Sequence, residues 1–192
     1  HHTVSSSLSM LEDEKEAITK QMQHLQKLQK NVEHRLNTIH SAFSLPLDEI
    51  HLMTLPPRHC HRLFEGYKHE EEMDFLMKQL INLNQNRLYI IGSNQMGTMI
   101  SLPSLLKKKT LSYQSVFLID EEGSDLIDGG DYLCVTYRGN YEQSAYWGQQ
   151  LAQYAHAHKF KIRGDLLEIL WIDIHTTSDE SEYITQLQLP IA

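Results

Sequence analysis

The chain has 192 residues, of which 41% are hydrophobic and 22% charged, so it can bury one sizeable core and does not have the composition of a disordered chain. Its net charge of −8 falls beyond residue 40, because residues 1–40 balance five acidic against five basic side chains. An acidic body has the wrong sign for a phosphate-binding footprint, and no apolar run reaches transmembrane length.

The first predicted element is one long helix from Ser7 to Phe43. Val4, Leu11, Ile18, Leu25, Val32 and Ile39 recur at a spacing of seven. Leu8, Met22, Leu36 and Phe43 form a second row offset by four, with Lys15 and Gln29 in its gaps. These rows are the a and d positions of a coiled coil, and they predict that the helix pairs with a second copy of the chain. Polar Lys15 and Gln29 in the seam bear on register and orientation, and the pattern leaves parallel and antiparallel pairing open. Ser9 and Glu12 have the spacing of a capping box, and Pro46 is expected to stop the helix after Leu45. Residues 1–45 are read as a dimerisation helix and residues 46–192 as a separate domain.

After Pro46 the apolar period becomes strand-like. Glu49–Leu55 and His59–Phe64 read as paired strands, and Glu70–Leu83 as a helix with a Met73, Leu76, Met77, Leu80 stripe. Arg87–Ile91 and Met99–Leu102 read as strand. Gly92–Gly97 has neither the phosphate-loop lysine nor the dinucleotide glycine spacing and reads as a turn. Lys107, Lys108 and Lys109 read as a solvated turn. Tyr113–Ile119 and Asp131–Tyr137 read as strands joined by a hairpin at Asp128-Gly129-Gly130. Glu142–His158 is a helix, and Leu166–His175 with Tyr183–Leu189 closes the chain as a hairpin. Two strands, a helix and two strands, given twice, predict an α+β domain of two pseudo-symmetric halves with a cleft between them. Phe64-Glu65-Gly66-Tyr67 and Tyr137-Arg138-Gly139-Asn140 hold matching places before the two helices.

Glu168 carries the most chemical information, because alternation places it in line with Leu166, Leu170, Ile172 and Ile174. A carboxylate in an apolar row is costly unless paired. Either it is solvated or bridged to a residue such as Arg163, or an organic cation meets it and the row holds the cation's apolar body. Aromatic residues nearby suit the second reading: Tyr113 and Phe117 on one face, Tyr137 with Leu133 and Val135, and Tyr183 with Leu187 and Leu189. His59 and His61 share a face, but two ligands are too few for zinc, and no metal site or cofactor is expected. No spacing marks a nucleophile with its base, so no catalytic residue is assigned. Cys60 and Cys134 lie far apart in apolar contexts, which suits a reducing cytoplasm.

A dimerising helix leading into a duplicated α+β domain resembles the C-terminal part of a MerR-family transcription regulator with a GyrI-like effector-binding domain, of the BmrR-like multidrug-sensor type. The likeness is carried by Gly164-Asp165-Leu166-Leu167-Glu168, by Glu182-Tyr183 through Pro190-Ile191, and by Asp131–Tyr137 with the helix that follows. The resemblance implies a homodimer through an antiparallel coiled coil, and a pocket for lipophilic, cationic small molecules. It implies that Glu168 meets the cation, that Tyr183 stacks near it and that Leu170 forms an aliphatic wall, with Tyr137 among the pocket aromatics. Ser144 stands where the pattern carries a tyrosine, so Tyr141 and Trp147 become candidate substitutes, and Tyr113 completes the set. The cysteines of metal-sensing members are absent after the coiled coil. DNA contact is implied only through a winged-helix domain with no counterpart here, and the start at His1 reads as truncation. A GyrI-like hydrolase using Glu168 and Tyr183 is the alternative, and a module docking a basic protein partner is a third reading.

Overall fold

The heptad pattern is realised as α1, a single helix of 39 residues from Val4 to Ala42, in the computed structural model, which describes residues 3–67, 70–83, 95–107 and 111–192. Thr3 is its N-cap, accepting from the Ser6 N–H while the Ser6 hydroxyl accepts from the Thr3 N–H. The expected Ser9–Glu12 box is therefore not the start, because an equivalent reciprocal pair lies six residues earlier and nothing between them breaks the helix. The helix ends at Ala42, with Phe43 as C-cap and Pro46 a few residues beyond. Of its side chains only Arg35, Thr38 and Ala42 are buried. Leu11 and Leu25 of the heptad row are 56% and 63% exposed, so among the described residues that part of the row is uncovered, while Ile39 at its end packs on the body.

The body is one antiparallel sheet in the order β1-β6-β8-β7-β3-β4-β2-β5. Its strands are β1 (His51–Leu55), β2 (Arg58–Leu63), β3 (Met96–Ile100), β4 (Tyr113–Ile119), β5 (Asp125–Ile127), β6 (Gly130–Arg138), β7 (Leu166–Ile172) and β8 (Ile184–Pro190). Helices α2 (Glu70–Leu83) and α4 (Gln143–Ala157), with short α3 (Leu102–Leu106), complete an α+β fold whose sheet curls into a half-barrel. Arg87–Ile91, Gly92 to Asn94, Lys108 and Lys109 lie outside the described residues.

Two expected hairpins are not formed. β1 does not pair with the strand that follows it; it pairs with β6, His51 opposite Cys134. The link is Pro56-Pro57, and prolines cannot adopt the positive φ of a tight two-residue hairpin turn, so the chain crosses to the other edge. Asp128-Gly129 likewise joins β5, which pairs with β2, to β6 beside β1. Because these short links connect opposite margins of the sheet, the margins are drawn together and the sheet must curl. The links touch where they cross: a Cβ on Gly129 would lie 2.7 Å from the Pro57 nitrogen and 3.0 Å from the Leu55 oxygen. A glycine is required there by close approach.

The duplication is present with shifted boundaries. One half is β1-β2-α2-β3-β4 and the other β5-β6-α4-β7-β8, so Tyr113–Ile119 closes the first half rather than opening the second. Each half lends its first strand to the other's edge. Three-residue β5 is too short for an alternating signal. Pro103 sits in the first turn of α3, where its missing N–H costs nothing, rather than ending a strand. The halves meet where β3 pairs with β7: Met96 opposite Leu170, Thr98 opposite Glu168 and Ile100 opposite Leu166.

Both long helices cover one face of the sheet. Met73, Leu76, Met77 and Leu80 of α2 pack on Met96, Val116 and Leu118. Leu151 and Ala155 of α4 pack on Leu133, Val135, Leu166, Leu187 and Leu189. Inside the curl, on the other face, lie Cys60, Phe117, Ile127, Tyr132, Cys134, Leu167 and Ile169, with both cysteines free. Tyr113 and Phe117 were expected on one face. The register slips between Met99 and Ile100, opposite Tyr113, and this bulge sends Tyr113 towards the helices and Phe117 into the curl. Ile174 lies past the end of β7 and is exposed, outside the row of Glu168. Ala42 joins Ile172 and Ile184 in a small apolar cluster that fastens the end of α1 to the body.

Candidate functional site

Pairing β3 with β7 sets two strands of the same pattern side by side, apolar–polar–apolar on the helix face. Leu170 and Met96 belong to the cluster under α2, and Leu166 and Ile100 to the cluster under α4. Between them sit Glu168 and Thr98, 1% and 0% exposed, at the centre of the pseudo-symmetric sheet. The Thr98 hydroxyl donates to Glu168 Oε2 at 2.8 Å. The Ser144 hydroxyl, in the first turn of α4, donates to Glu168 Oε1. Since that proton points at Glu168, the Tyr137 hydroxyl is the donor to Ser144 Oγ, at 2.6 Å. Hydrogen bonds to a charged acceptor contribute about 1.5–3 kcal/mol each, which offsets part of the cost of burial. Arg163, a suggested partner for Glu168, instead donates to the Ile191 carbonyl at 2.6 Å.

Two stacked tyrosine pairs flank this carboxylate, one from each half. Tyr67 stacks on Tyr113 with ring centroids 4.4 Å apart and planes 11° apart. Tyr141 stacks on Tyr183 at 5.4 Å and 29°. The pairs are counterparts: Tyr67 and Tyr141 precede the long helix of their half, and Tyr113 and Tyr183 lie at the start of its last strand. Backbone bonds hold both arrangements, Tyr67 exchanging bonds with Tyr113 and the Gly139 N–H donating to the Tyr183 carbonyl at 2.9 Å. Burial and then the charge of Glu168 push the Tyr67 hydroxyl well above the usual tyrosine value. Burial, then the charges of Asp173 and Glu168, do the same for Tyr141. Both phenols therefore stay protonated. Among the described residues the Tyr67 and Tyr141 hydroxyls are both buried without a hydrogen-bond partner.

The structure brings Glu168, Leu170, Tyr141, Tyr183, Tyr113 and Tyr137 to this centre, Tyr137 reaching the carboxylate through Ser144. Trp147 is elsewhere on α4. It packs against the cluster under that helix and meets Tyr146 edge-on at 5.1 Å, and among the described residues no hydrogen bond or ring contact joins it to Glu168. Sequence reasoning did not assign Tyr67, Thr98 or Ser144. The repeat of Gly66-Tyr67 and Gly139-Asn140-Tyr141 was a usable signal for Tyr67. Nothing local marks Thr98, which meets its partner across 70 residues of chain.

A hollow of about 380 Å³ adjoins the first pair, lined by Glu65, Gly66, Tyr67, Glu72, Phe75 and Leu76. Of the histidines considered for metal, His61 lies 3.5 Å from Asp120 and His59 meets the Gly123 carbonyl. Among the described residues no helix is long and apolar enough to cross a membrane.

A curled antiparallel sheet fed by a long helix matches the fold of a GyrI-like effector-binding domain. The C-terminal domain of EcmrR shares it at 15% identity, with 75% of this chain and 97% of that domain covered and a TM-score of 0.57. EcmrR in its DNA complex is similar over 99% of this chain and 77% of its own, at 14% identity and a TM-score of 0.58, so the likeness extends along α1. SAV2435 bound to tetraphenylphosphonium is similar over 75% of this chain and 94% of its own, at 14% identity and a TM-score of 0.45. No protein-family model and no curated protein sequence matches the chain.

Proposed function

We propose that this chain is the ligand-sensing and dimerisation part of a transcription regulator, and that its effectors are lipophilic organic cations bound between the two tyrosine pairs. The observation that carries the reading is the Glu168 carboxylate, 1% exposed and oriented by hydroxyl groups at the junction of two aromatic stacks. Its charge attracts a cation in a setting of low dielectric, and each aromatic face adds about 0.5–2 kcal/mol. Glu65 and Glu72, with exposed Phe75, give the adjoining hollow the same character and make it a natural entrance. A ligand entering beside Glu168 must part the stacked tyrosine pairs. Tetraphenylphosphonium titrated by calorimetry tests this: Glu168→Gln should weaken binding at least tenfold, about 1.4 kcal/mol. Equal affinity in the two proteins would overturn the role of Glu168.

Hydrolysis with Glu168 and Tyr183 is the less favoured use of the same residues. Both carboxylate oxygens already accept hydroxyl protons, which suits an acceptor held in place better than a base free to take a proton from water. Recovery of a bound electrophilic ligand in altered form would reverse this preference.

Residues 1–45 form the dimerisation unit and residues 46–192 the effector-binding unit in this reading. The exposed heptad row is covered by the same row of a second copy, antiparallel as the resemblance implies, and the dimer works in the cytoplasm. DNA is read through a winged-helix domain of the intact regulator. A ligand then acts only through its differential affinity for two arrangements of body and helix.

A further inference from the structure

Inside the curl, on the face of the sheet turned away from Glu168, three arginines converge. Residues alternate along β2, so Arg58 and Arg62 share the face of Cys60, which belongs to the cluster inside the curl, whereas Leu63 packs under α2. Nε and Nη2 of Arg58 and Nε of Arg62 are buried with no hydrogen-bond acceptor. The Arg58 guanidinium lies 5.8 Å from the centre of the Tyr132 ring, and burial pushes its value below the ordinary one. Tyr132, Arg62 and Arg163 line a cavity of about 160 Å³. Arg163 uses Nε on the Ile191 carbonyl. Among the described residues none of the three arginines forms an ion pair. Three of the six arginines of a chain with net charge −8 therefore stand together without a carboxylate.

Met99, Ile127, Leu167 and Pro190 give the cavity apolar walls. Asp128 and Asp165 line it as well, but Asp165 Oδ1 already accepts the Leu102 N–H at 2.9 Å and Asp128 is exposed. We propose that this cavity is an anion site for a small organic carboxylate, whose oxygens meet the arginines and whose apolar body lies against Met99, Ile127 and Leu167. A guanidinium fork matches the two oxygens of a carboxylate, and an anion that supplies acceptors offsets the cost of leaving buried cationic N–H groups unpaired. Cavities for drug-sized molecules run to about 300–1,000 Å³, so the size of this one restricts it to a small acid. The site is independent of the cation-binding reading. Met99 pairs with Leu167 one step along from Thr98 with Glu168, and alternation sends the two pairs to opposite faces.

Fluorine NMR of 4-fluorobenzoate titrated into the full chain tests the proposal. Wild type should bind it saturably, and Arg62→Gln and Arg163→Gln should each weaken binding at least tenfold. Arg163 is exposed, so its variant keeps the test readable if Arg62→Gln fails to fold. Asp128→Asn should tighten binding, because one repelling carboxylate is removed. The uncharged 4-fluorobenzamide, of nearly the same shape, should not compete. Fluorobenzoate should also raise the thermal unfolding midpoint of wild type by more than that of Arg163→Gln. Absence of saturable binding, equal affinity in wild type and both arginine variants, or equal binding of the amide would each overturn the site. Displacement of fluorobenzoate by inorganic sulfate as readily as by benzoate would overturn the part assigned to the apolar walls.

Discussion

Glu168 is a buried carboxylate that neighbours from two separate parts of the chain hold in one orientation. Thr98 comes from the opposite half and Ser144 from the start of α4, and both present hydroxyls to it. Removing either leaves an ionised oxygen with one donor fewer, at a cost of about 1–3 kcal/mol for a buried acceptor. Ser144→Ala should therefore lower the unfolding free energy measured in urea by an amount in that range, and Tyr137→Phe, which acts through Ser144, should cost less. Equal effects would mean that Tyr137 supports the carboxylate by a route other than Ser144. The alternation along β7 placed Glu168, Leu166 and Leu170 together correctly from residue types alone, because a period of two decides which face a residue takes. It carried the row on to Ile174, which fails because the strand ends at Ile172.

At the level of elements, the connections decide the shape of the sheet. Pro56-Pro57 and Asp128-Gly129 cross in contact, so Gly129→Ala pushes a methyl group into the Pro57 backbone. Overpacking of this kind costs about 1–3 kcal/mol, and a thermal unfolding scan should show a lower midpoint for the variant. Gly164, where an added Cβ would lie 3.6 Å from Pro190, should accept alanine with little change. The loop after β7 carries a pH dependence of definite sign. Interaction with Asp173 holds His175 above the ordinary histidine value of 6.5 against the opposing effect of its burial, with Asp74 adding to the rise and Lys78 reducing it. A raised folded value means that the contribution is complete below the unfolded value and is lost as pH rises through the folded one. Chemical denaturation at a series of pH values should show this loss between about pH 6.5 and the raised value, and His175→Asn should flatten that interval. A flat wild-type profile there would mean that Asp173 does not hold the His175 proton.

For the whole molecule, the exposed seam of α1 is its least self-sufficient feature. Leu11, Ile18, Met22 and Leu25 are each more than half exposed along a helix of 39 residues, and isolated helices with an open apolar row gain by pairing. Sedimentation equilibrium should find a dimer, and Ile18→Asp with Leu25→Asp should give a folded monomer whose sheet body keeps its stability. A wild-type monomer at tens of micromolar would exclude pairing through this seam. The likeness to the fold of EcmrR covers 99% of this chain, helix and body together.

Sequence by itself determined the long helix with its exposed apolar row, the α+β composition, the duplication and the apolar row containing Glu168. All of these are written in spacings of two, three, four or seven residues, which local geometry converts directly into faces. Tertiary structure alone decided that β1 and β5 exchange edges, that Tyr113 and Phe117 part at a bulge, and that Trp147 stays away from the centre. It alone brought Thr98 to Glu168, Tyr67 onto Tyr113, and Arg35 to Asp173. Those contacts join residues far apart in the chain, and which distant strands pair depends on closing the whole sheet rather than on the pattern within any one strand.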